Sequence, residues 1–428
     1  MQTSGNLSAR GATVADTPTA VGERAERAPW ALLSILVAAT LLAFSLWFSA
    51  SAVVPTLSKL WHISGATAIW LTASVQLGFV TGALVSASLG LPDLLNSRKL
   101  MVAACLAGAL CNGLFVLLGR NIALGLALRF LTGVAIAGVY PIAVKMVATW
   151  FARARGLAIG ILIAGLTLGS ALPQLIRGLG ALDRWQAIVG GASLLAVAAA
   201  LIIWFGIPDD QRLRFGTFQW GAIGAIVRER PIMLANGGYL GHMWELYAMW
   251  TWLPAFLLAS WAPALSGARL IAVGAVAAFA IIGLAGAAGA LLGGWAADRY
   301  GRTFTTIAAM IASGLCALVI GWTFQGPAWL TGAIAVAWGV SVIADSAQFS
   351  ASVTELSPPA IVGSAVTFQM AVGFLLTIVS INVIPALRDR VSWRWAFAFL
   401  AVGPLLGCLA MWQLRRDPAA ARLAQGRR

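Results

Sequence analysis

Apolar residues run through this chain in long blocks, and the polar positions collect in short turns between them. About twenty residues of helix cross a hydrocarbon core, and twelve blocks reach spanning length. Their approximate limits are 30 to 54, 66 to 90, 100 to 118, 122 to 148, 157 to 176 and 185 to 206, then 232 to 259, 269 to 296, 304 to 324, 329 to 354, 361 to 384 and 394 to 414. In lipid every backbone N–H and C=O must find its partner within the segment, so blocks of this length are predicted to be helices. The pattern predicts an all-α membrane protein with twelve transmembrane helices.

The widest interruption, Ile207 to Pro231, divides these helices into two sets of six. It holds Phe215, Phe218, Trp220, Ile223 and Val227 flanked by arginines, a composition that suits an interfacial helix and is too short to span. The expected organisation is a disordered tail at 1–29, a six-helix bundle at 30–206, a linker at 207–231, a second bundle at 232–414 and a tail at 415–428. Two landmarks recur across the halves. The charged turn Gly293 to Arg302 has a worn copy in Gly90, Asp93, Arg98 and Lys99, and Asp183-Arg184-Trp185 is matched by Trp393-Arg394-Trp395. Such pseudo-symmetric halves imply a site near the midplane at their interface and alternating access by rocking.

Composition agrees with the pattern. Sixty per cent of residues are hydrophobic, ten per cent are charged and the mean hydropathy is +0.89, which excludes an ordinary soluble domain. A net charge of +14 would suggest nucleic acid in a soluble chain, but here the bases sit in the turns. With the N-terminus inside, eighteen bases fall in inner segments and eight in outer turns, which favours cytoplasmic termini. The expected location is the inner (plasma) membrane of a bacterium. A signal peptide is the rival reading of Ala31 to Phe48; acids at Asp16, Glu23 and Glu26, with eleven further blocks downstream, favour a retained span. Cys105, Cys111, Cys316 and Cys408 all lie inside apolar blocks and suit neither a disulfide framework nor a metal site.

The segment Gly294-x-x-x-Asp298-Arg299-x-Gly301-Arg302 resembles the signature loop of the major facilitator superfamily, which joins helices two and three and again eight and nine. The first copy keeps Asp93, Arg98 and Lys99, with Leu94 and Asn96 where the family has a base and a glycine. Arg129-Phe130-Leu131-Thr132-Gly133 resembles the family's fourth-helix motif, and Gly165, Gly169 and Pro173 resemble its fifth-helix pattern without the Gly-Pro pair of antiporter-type exporters. The run from Tyr140-Pro141 to Trp150-Phe151 and Arg153-x-Arg155-Gly156 is similar to segments of the anion-cation symporter and nitrate or cyanate branches, without the signature of true nitrate porters. The resemblance covers about residues 30 to 414. It implies helices 1, 4, 7 and 10 around a central cavity, and a cytoplasmic gate that includes Asp93, Arg98, Asp298, Arg299 and Arg302. A carboxylate at Asp93 or Asp298 can cap the start of helix 11 or 5 and meet its positive dipole end.

Chemistry is expected at ionisable residues deep in the blocks, where a charge costs at least ~2.5 kcal/mol unless paired or hydrated. Arg129 lies on helix 4, His242 and Glu245 on helix 7, and Asp345 on helix 10 with Gln348 and Ser352 on the same face. His242 and Glu245, three apart, share a face and suit a proton relay or a structural pair. Arg129 suits an anion clamp, a partner for the proton-bearing carboxylate or a permanent ion pair. Asp345 and Gln348 suit a cavity stripe. Lys145 is placed to snorkel to the inner surface. Trp47, Trp244, Trp338, Gln76 and Gln369 are candidate cavity-lining groups, with packing as the blander account.

Three function classes follow. A proton-coupled importer of a small organic or inorganic anion accounts for Arg129 and the buried acids; a proton-driven antiporter exporting amphipathic compounds is the alternative. An enzyme or receptor finds no nucleophile-base set, phosphate loop or metal spacing. The expected partners are a small solute, protons and lipid, with no cofactor, no nucleic acid and a monomeric state.

Overall fold

The computed structural model describes residues 20–89, 91, 95–151, 154–179, 184–209, 220–358 and 361–427. Among these, twelve helical spans follow one another: α1 (Ala20–Phe44), α2 (Gly65–Ser88), α3 (Ser97–Leu118), α4 (Ile122–Ile136, continued by Tyr140–Trp150), α5 (Arg155–Gly178) and α6 (Trp185–Gly206). The second set is α7 (Arg230–Trp261), α8 (Gly267–Tyr300), α9 (Arg302–Thr323), α10 (Ala328–Leu356), α11 (Val362–Ala396) and α12 (Ala398–Arg416). Ten of them are long and apolar enough to span by composition alone. The other two are α1, with its apolar stretch Pro29–Phe44, and α7, which carries Asn236, His242 and Glu245. Large apolar side chains such as Leu117, Phe205 and Leu405 stay exposed on the outer faces, as lipid-facing positions should.

Packing repeats between the halves. In the first, α2 packs on α4, α3 on α6, and α1 on α5 and α6; in the second, α8 packs on α10, α9 on α12, and α7 on α11 and α12. The halves meet along two matched seams, α5 with α8 and α2 with α11. Glycines allow the tightest repeated approach. A Cβ on Gly78 would strike the Phe130 carbonyl of α4, and a Cβ on Gly289 the Val340 carbonyl of α10, so backbones come together where side chains would hold them apart.

Several spans depart from the continuous helices that their hydropathy predicts. The first block was expected as one helix over 30 to 54, but α1 stops at Phe44, residues 45–50 form turns, and a new helix runs from Val54 to Trp61. No proline or glycine causes the break. The Ser45 and Ser49 hydroxyls turn back onto the Leu42 and Leu46 carbonyls at 2.6 and 2.9 Å, and Arg129 takes carbonyls that the helix leaves free. α4 breaks at 137–139, just before Pro141, and α10 bends at Asp345 between Ala328–Ala344 and Ser346–Leu356. α8 widens into a π-helical turn at Phe279–Ala285.

At the chain's ends, α1 begins at Ala20, ahead of the expected limit, while residues 1–19 lie outside the described residues. Of the linker, Phe215 and Phe218 also lie outside them; Ala222–Arg228 is a short helix that buries Ala222 and Ile226 against α7 and α11. After α12 the chain turns under the bundle as Pro418–Gly426, burying Ala420 and Leu423.

Candidate functional site

Among the described residues, two cavities on the interface between the halves stand out. At the centre a small chamber of about 30 Å³ is walled by rings: Phe44 and Trp47 of α1 and its break, Phe79 of α2, Tyr140 of α4, Tyr239, Tyr247 and Trp250 of α7, and Phe374 of α11. Trp47 ties the halves together here, its ring centroid 5.8 Å from that of Tyr247 and 5.5 Å from that of Phe374. Such a volume holds about one water molecule. Above it, toward the end opposite the termini, stands a vestibule of about 570 Å³. Its walls come from Phe48 to Ser58, the start of α2, and the far ends of α5, α7 and α11. Exposed Asp389 and partly exposed Arg388 at its rim carry it to solvent, paired with each other at 2.7 Å.

The four deep charges do not face one another across this interface. Arg129 is fully buried inside the first half, where every nitrogen of its guanidinium donates to protein. Nη2 reaches the Trp47 carbonyl at 2.7 Å and the Leu46 carbonyl at 3.2 Å; Nη1 reaches Asn112 Oδ1 at 2.7 Å, with Ser49 Oγ and the Leu46 carbonyl at 3.2 Å. Nε completes the set on the Leu71 carbonyl at 3.4 Å. Asn112 passes the network to α6 through the Val189 carbonyl and Ser193 Oγ. Arg129 therefore caps the break in α1 and clasps α1, α2, α3 and α4. It neither clamps an anion in either cavity nor holds a carboxylate, because its donors are already taken by carbonyls, a hydroxyl and an amide.

The other three lie together in the second half. His242 Nδ1 and Asp345 Oδ1 are 2.8 Å apart, a contact whose direction falls short of a well-aligned hydrogen bond. Glu245 accepts from Ser313 Oγ of α9 at 2.8 Å and from Trp338 Nε1 of α10 at 2.7 Å. All are nearly or fully buried. His242 and Glu245 share a face of α7, as their spacing requires, but each bonds elsewhere rather than to the other. That face points at α9 and α10; the face bearing Tyr239, Met243, Leu246 and Tyr247 lines the chamber. Asp345 sits where α10 bends, and Ser346 and Ser350 just beyond it do line the chamber. His242 Nε2 is buried without a hydrogen-bond partner.

Of the candidate lining groups Trp47 lines the chamber, while the others are absent from the walls of these two cavities among the described residues. Trp338 is sealed against Glu245 and Phe397, and Trp244 packs between α7 and the start of α12, its Nε1 3.5 Å from the Phe399 carbonyl. Gln76 is buried with both amide atoms unpartnered, and Gln369 Nε2 donates to Asn236 Oδ1 at 3.0 Å. Gln348 is not a stripe residue facing water. Its Oε1 accepts from Arg302 Nη1 at 2.7 Å.

Of the expected gate residues, Asp93 lies outside the described residues. Asp298 Oδ2 accepts from the Leu157 N–H at 2.9 Å, joining the end of α8 to the first turn of α5 across the interface. Gly156 makes this possible, since a Cβ there would collide with the carboxylate. Arg302 forms a two-pronged pair with Glu355, at 2.9 and 2.6 Å, inside the second half. Arg98 pairs with Asp209 at 3.3 Å and lies over Trp204 inside the first. Arg299 lies over Trp295 and Tyr300 of its own helix. The terminal segment reinforces this end: Ala424 N donates to Glu355 Oε2 at 2.9 Å, and Arg427 donates to the Asp298 carbonyl.

The residue that a sequence reading passes over is Arg177. Counted among outer-turn bases, it is in fact 6% exposed and lines the vestibule one turn from Gln174. Its sequence signal is the i, i+3 pairing with a glutamine at the end of an apolar run. The chamber tyrosines Tyr239 and Tyr247 were likewise readable only as members of an apolar block.

Comparison with known proteins gives the family. The sequence model described as Major Facilitator Superfamily matches residues 35–380 and again 278–428. The uncharacterized transporter YgaY of Escherichia coli is 28% identical over 42% of this chain, which spans only 45% of YgaY's length. The protein named Probable transporter SCO4007 of Streptomyces coelicolor is 27% identical over 73% of this chain and 72% of its own. The 4-hydroxybenzoate transporter PcaK of Pseudomonas aeruginosa is 26% identical over 58% of this chain and 61% of its own. Among solved structures, the proton:xylose symporter XylE superposes with a TM-score of 0.70 at 14% identity, covering 90% of this chain and 95% of that one.

Proposed function

The chain belongs to the major facilitator superfamily, and from that premise we propose that it is a secondary transporter taking up a small organic anion together with protons. The observation that carries the reading is the asymmetry of the interface. A vestibule of about 570 Å³ opens at one end, the aromatic chamber below it narrows to about 30 Å³, and Asp298 bonds α8 to α5 at the end bearing the termini. Eighteen bases against eight favour a cytoplasmic position for that end, and on that reading a solute would load from outside and leave when the contact between α8 and α5 opens.

The vestibule's lining and one relative support an organic anion. The vestibule carries two arginines and one acid, Arg388 and Asp389 neutralise each other, and its remaining wall is largely apolar. The similarity to a 4-hydroxybenzoate transporter points to the same class. Coupling is assigned to α7. One of its faces lines the chamber and the other carries His242 and Glu245 against α9 and α10. A proton arriving at Glu245 or Asp345 would change which bonds that rear face makes, and so bias the position of the front face.

The test is uptake of 4-hydroxybenzoate into proteoliposomes with and without an inwardly directed proton gradient. Accumulation that collapses with a protonophore is expected. Gradient-independent uptake would remove the coupling, and no uptake of this or any related carboxylate would remove the anion reading.

A further inference from the structure

We propose that Arg177 and Gln174, side by side on α5 in the vestibule wall, form an outer binding site for the carboxylate of a compact, largely apolar monocarboxylic acid. This rests on the reading of the vestibule as the solute's entrance, and names the chemistry recognised there.

Arg177 is 6% exposed and makes no hydrogen bond or ion pair with any described residue; Gln174 is 8% exposed and its Oε1 is buried without a partner. A guanidinium on the wall of an open vestibule, with no acceptor among the described residues, keeps its N–H donors available to an entering solute. The other buried arginines among the described residues have acceptors: Arg129 takes carbonyls, and Arg302 takes Glu355 and Gln348. Arg177 points instead into the space where a solute would enter. A guanidinium offers two parallel N–H donors to a carboxylate, and Gln174 one helical turn away can donate a third from Nε2 once its amide turns the unpartnered Oε1 away from the anion.

The surroundings narrow the ligand. The other charges on the vestibule wall, Arg388 and Asp389, are 2.7 Å apart and satisfy each other. Among the described wall residues one cation is left without a partner and matches one negative charge, so dicarboxylates and phosphate dianions lack a second partner there. Facing walls of Phe48, Trp250, Trp252, Leu258 and Ile282 offer surface to a hydrocarbon body and few donors to a sugar. The Trp252 indole is fixed by donating to the Ile381 carbonyl at 2.9 Å, which makes it a rigid surface. A space of about 570 Å³ lies within the range of small-ligand sites.

The full-length protein in detergent is titrated with benzoate, cyclohexanecarboxylate, benzamide and acetate, read by tryptophan fluorescence and by melting temperature. Benzoate and cyclohexanecarboxylate should bind, with benzamide and acetate about ten- to hundredfold weaker, the worth of a charge-assisted bond or a buried ring. Arg177→Gln should bring benzoate down to benzamide, with Arg177→Lys between the two. Equal binding of benzoate and benzamide by the parent protein, or unchanged benzoate binding by Arg177→Gln, overturns the site. If Arg177→Gln does not fold, the parent's benzoate-to-benzamide ratio and Gln174→Leu, expected to weaken benzoate severalfold, decide the matter. Arg177-dependent binding without uptake would keep the site and defeat the transport reading; anion uptake indifferent to Arg177→Gln would do the reverse.

Discussion

The two halves bury their charges to different ends. In the first, Arg129 spends its donors on carbonyls, a hydroxyl and an amide, and its nearest effect is to hold a helix broken at residues 45–50. In the second, the buried groups are themselves proton-exchanging: Asp345 stands beside His242, Glu245 accepts from Ser313 and Trp338, and His242 keeps a buried nitrogen without a partner. A guanidinium stays charged across any physiological pH, whereas carboxylates and imidazole exchange protons. Burial alone therefore does not mark a coupling site. The chemistry of the buried group does: a permanently charged guanidinium ringed by fixed dipoles makes a clasp, whereas carboxyl and imidazole groups are what the proposed coupling requires.

The largest expected effect breaks the clasp. Arg129→Gln cannot reach Leu46, Trp47, Asn112 and Leu71 together, and each buried acceptor left unpaired costs about 1–3 kcal/mol. The variant is expected to melt far below the parent, or to lose its monodisperse peak after extraction. Arg129→Lys should recover less than half of the loss, because one ammonium cannot reproduce the planar fork. A melting temperature unchanged by Arg129→Gln would show that the α1 break stands without it, and the contrast between the halves would fail on its first side.

The second effect falls on transport rather than stability. In Glu245→Gln the amide oxygen can still accept from Trp338 Nε1, and the amide nitrogen can donate to Ser313 Oγ, so the bonds at 2.7 and 2.8 Å survive in kind. Stability should stay within about 1 kcal/mol of the parent, since neither partner is orphaned. Gradient-driven accumulation should be lost while solute counterflow continues. Loss of both would make Glu245 a binding or structural group, and retention of both would move coupling to Asp345 and His242.

How much of this was legible beforehand depended on the range of the cause. Span number follows from local hydropathy, and the family signature around Asp298 is contiguous, so helices and latch could be read in order along the chain. The α1 break could not. Ser45 to Ala50 contain no helix breaker, and the group that stabilises the break lies far along the chain on α4. His242 and Glu245 could be assigned a common face, but α7 is buried on nearly all sides. Nothing in its pattern says whether that face meets a cavity or α9. Arg177 looked like a turn base because it ends an apolar run, and its burial appears only once α7, α8 and α11 close around the vestibule.

The smallest effect tests the seam that joins the halves. Asp298→Asn keeps an oxygen able to accept from the Leu157 N–H, so the 2.9 Å bond can persist. What disappears is a negative charge at the N-terminus of α5, worth about 0.3–1 kcal/mol, or about a two- to fivefold change in the latched population. A cysteine placed at Ser350, on the chamber wall, should then react faster by that factor with a probe added from the side of the termini. The terminal segment limits the effect, because Arg427 still reaches the Asp298 carbonyl and Ala424 still reaches Glu355. Removing residues 418–428 from the same variant should therefore raise the labelling rate further than either change alone. If labelling is indifferent to both, the contact between α8 and α5 is packing without leverage, and the balance between the open vestibule and the closed inner end must be set elsewhere along the interface.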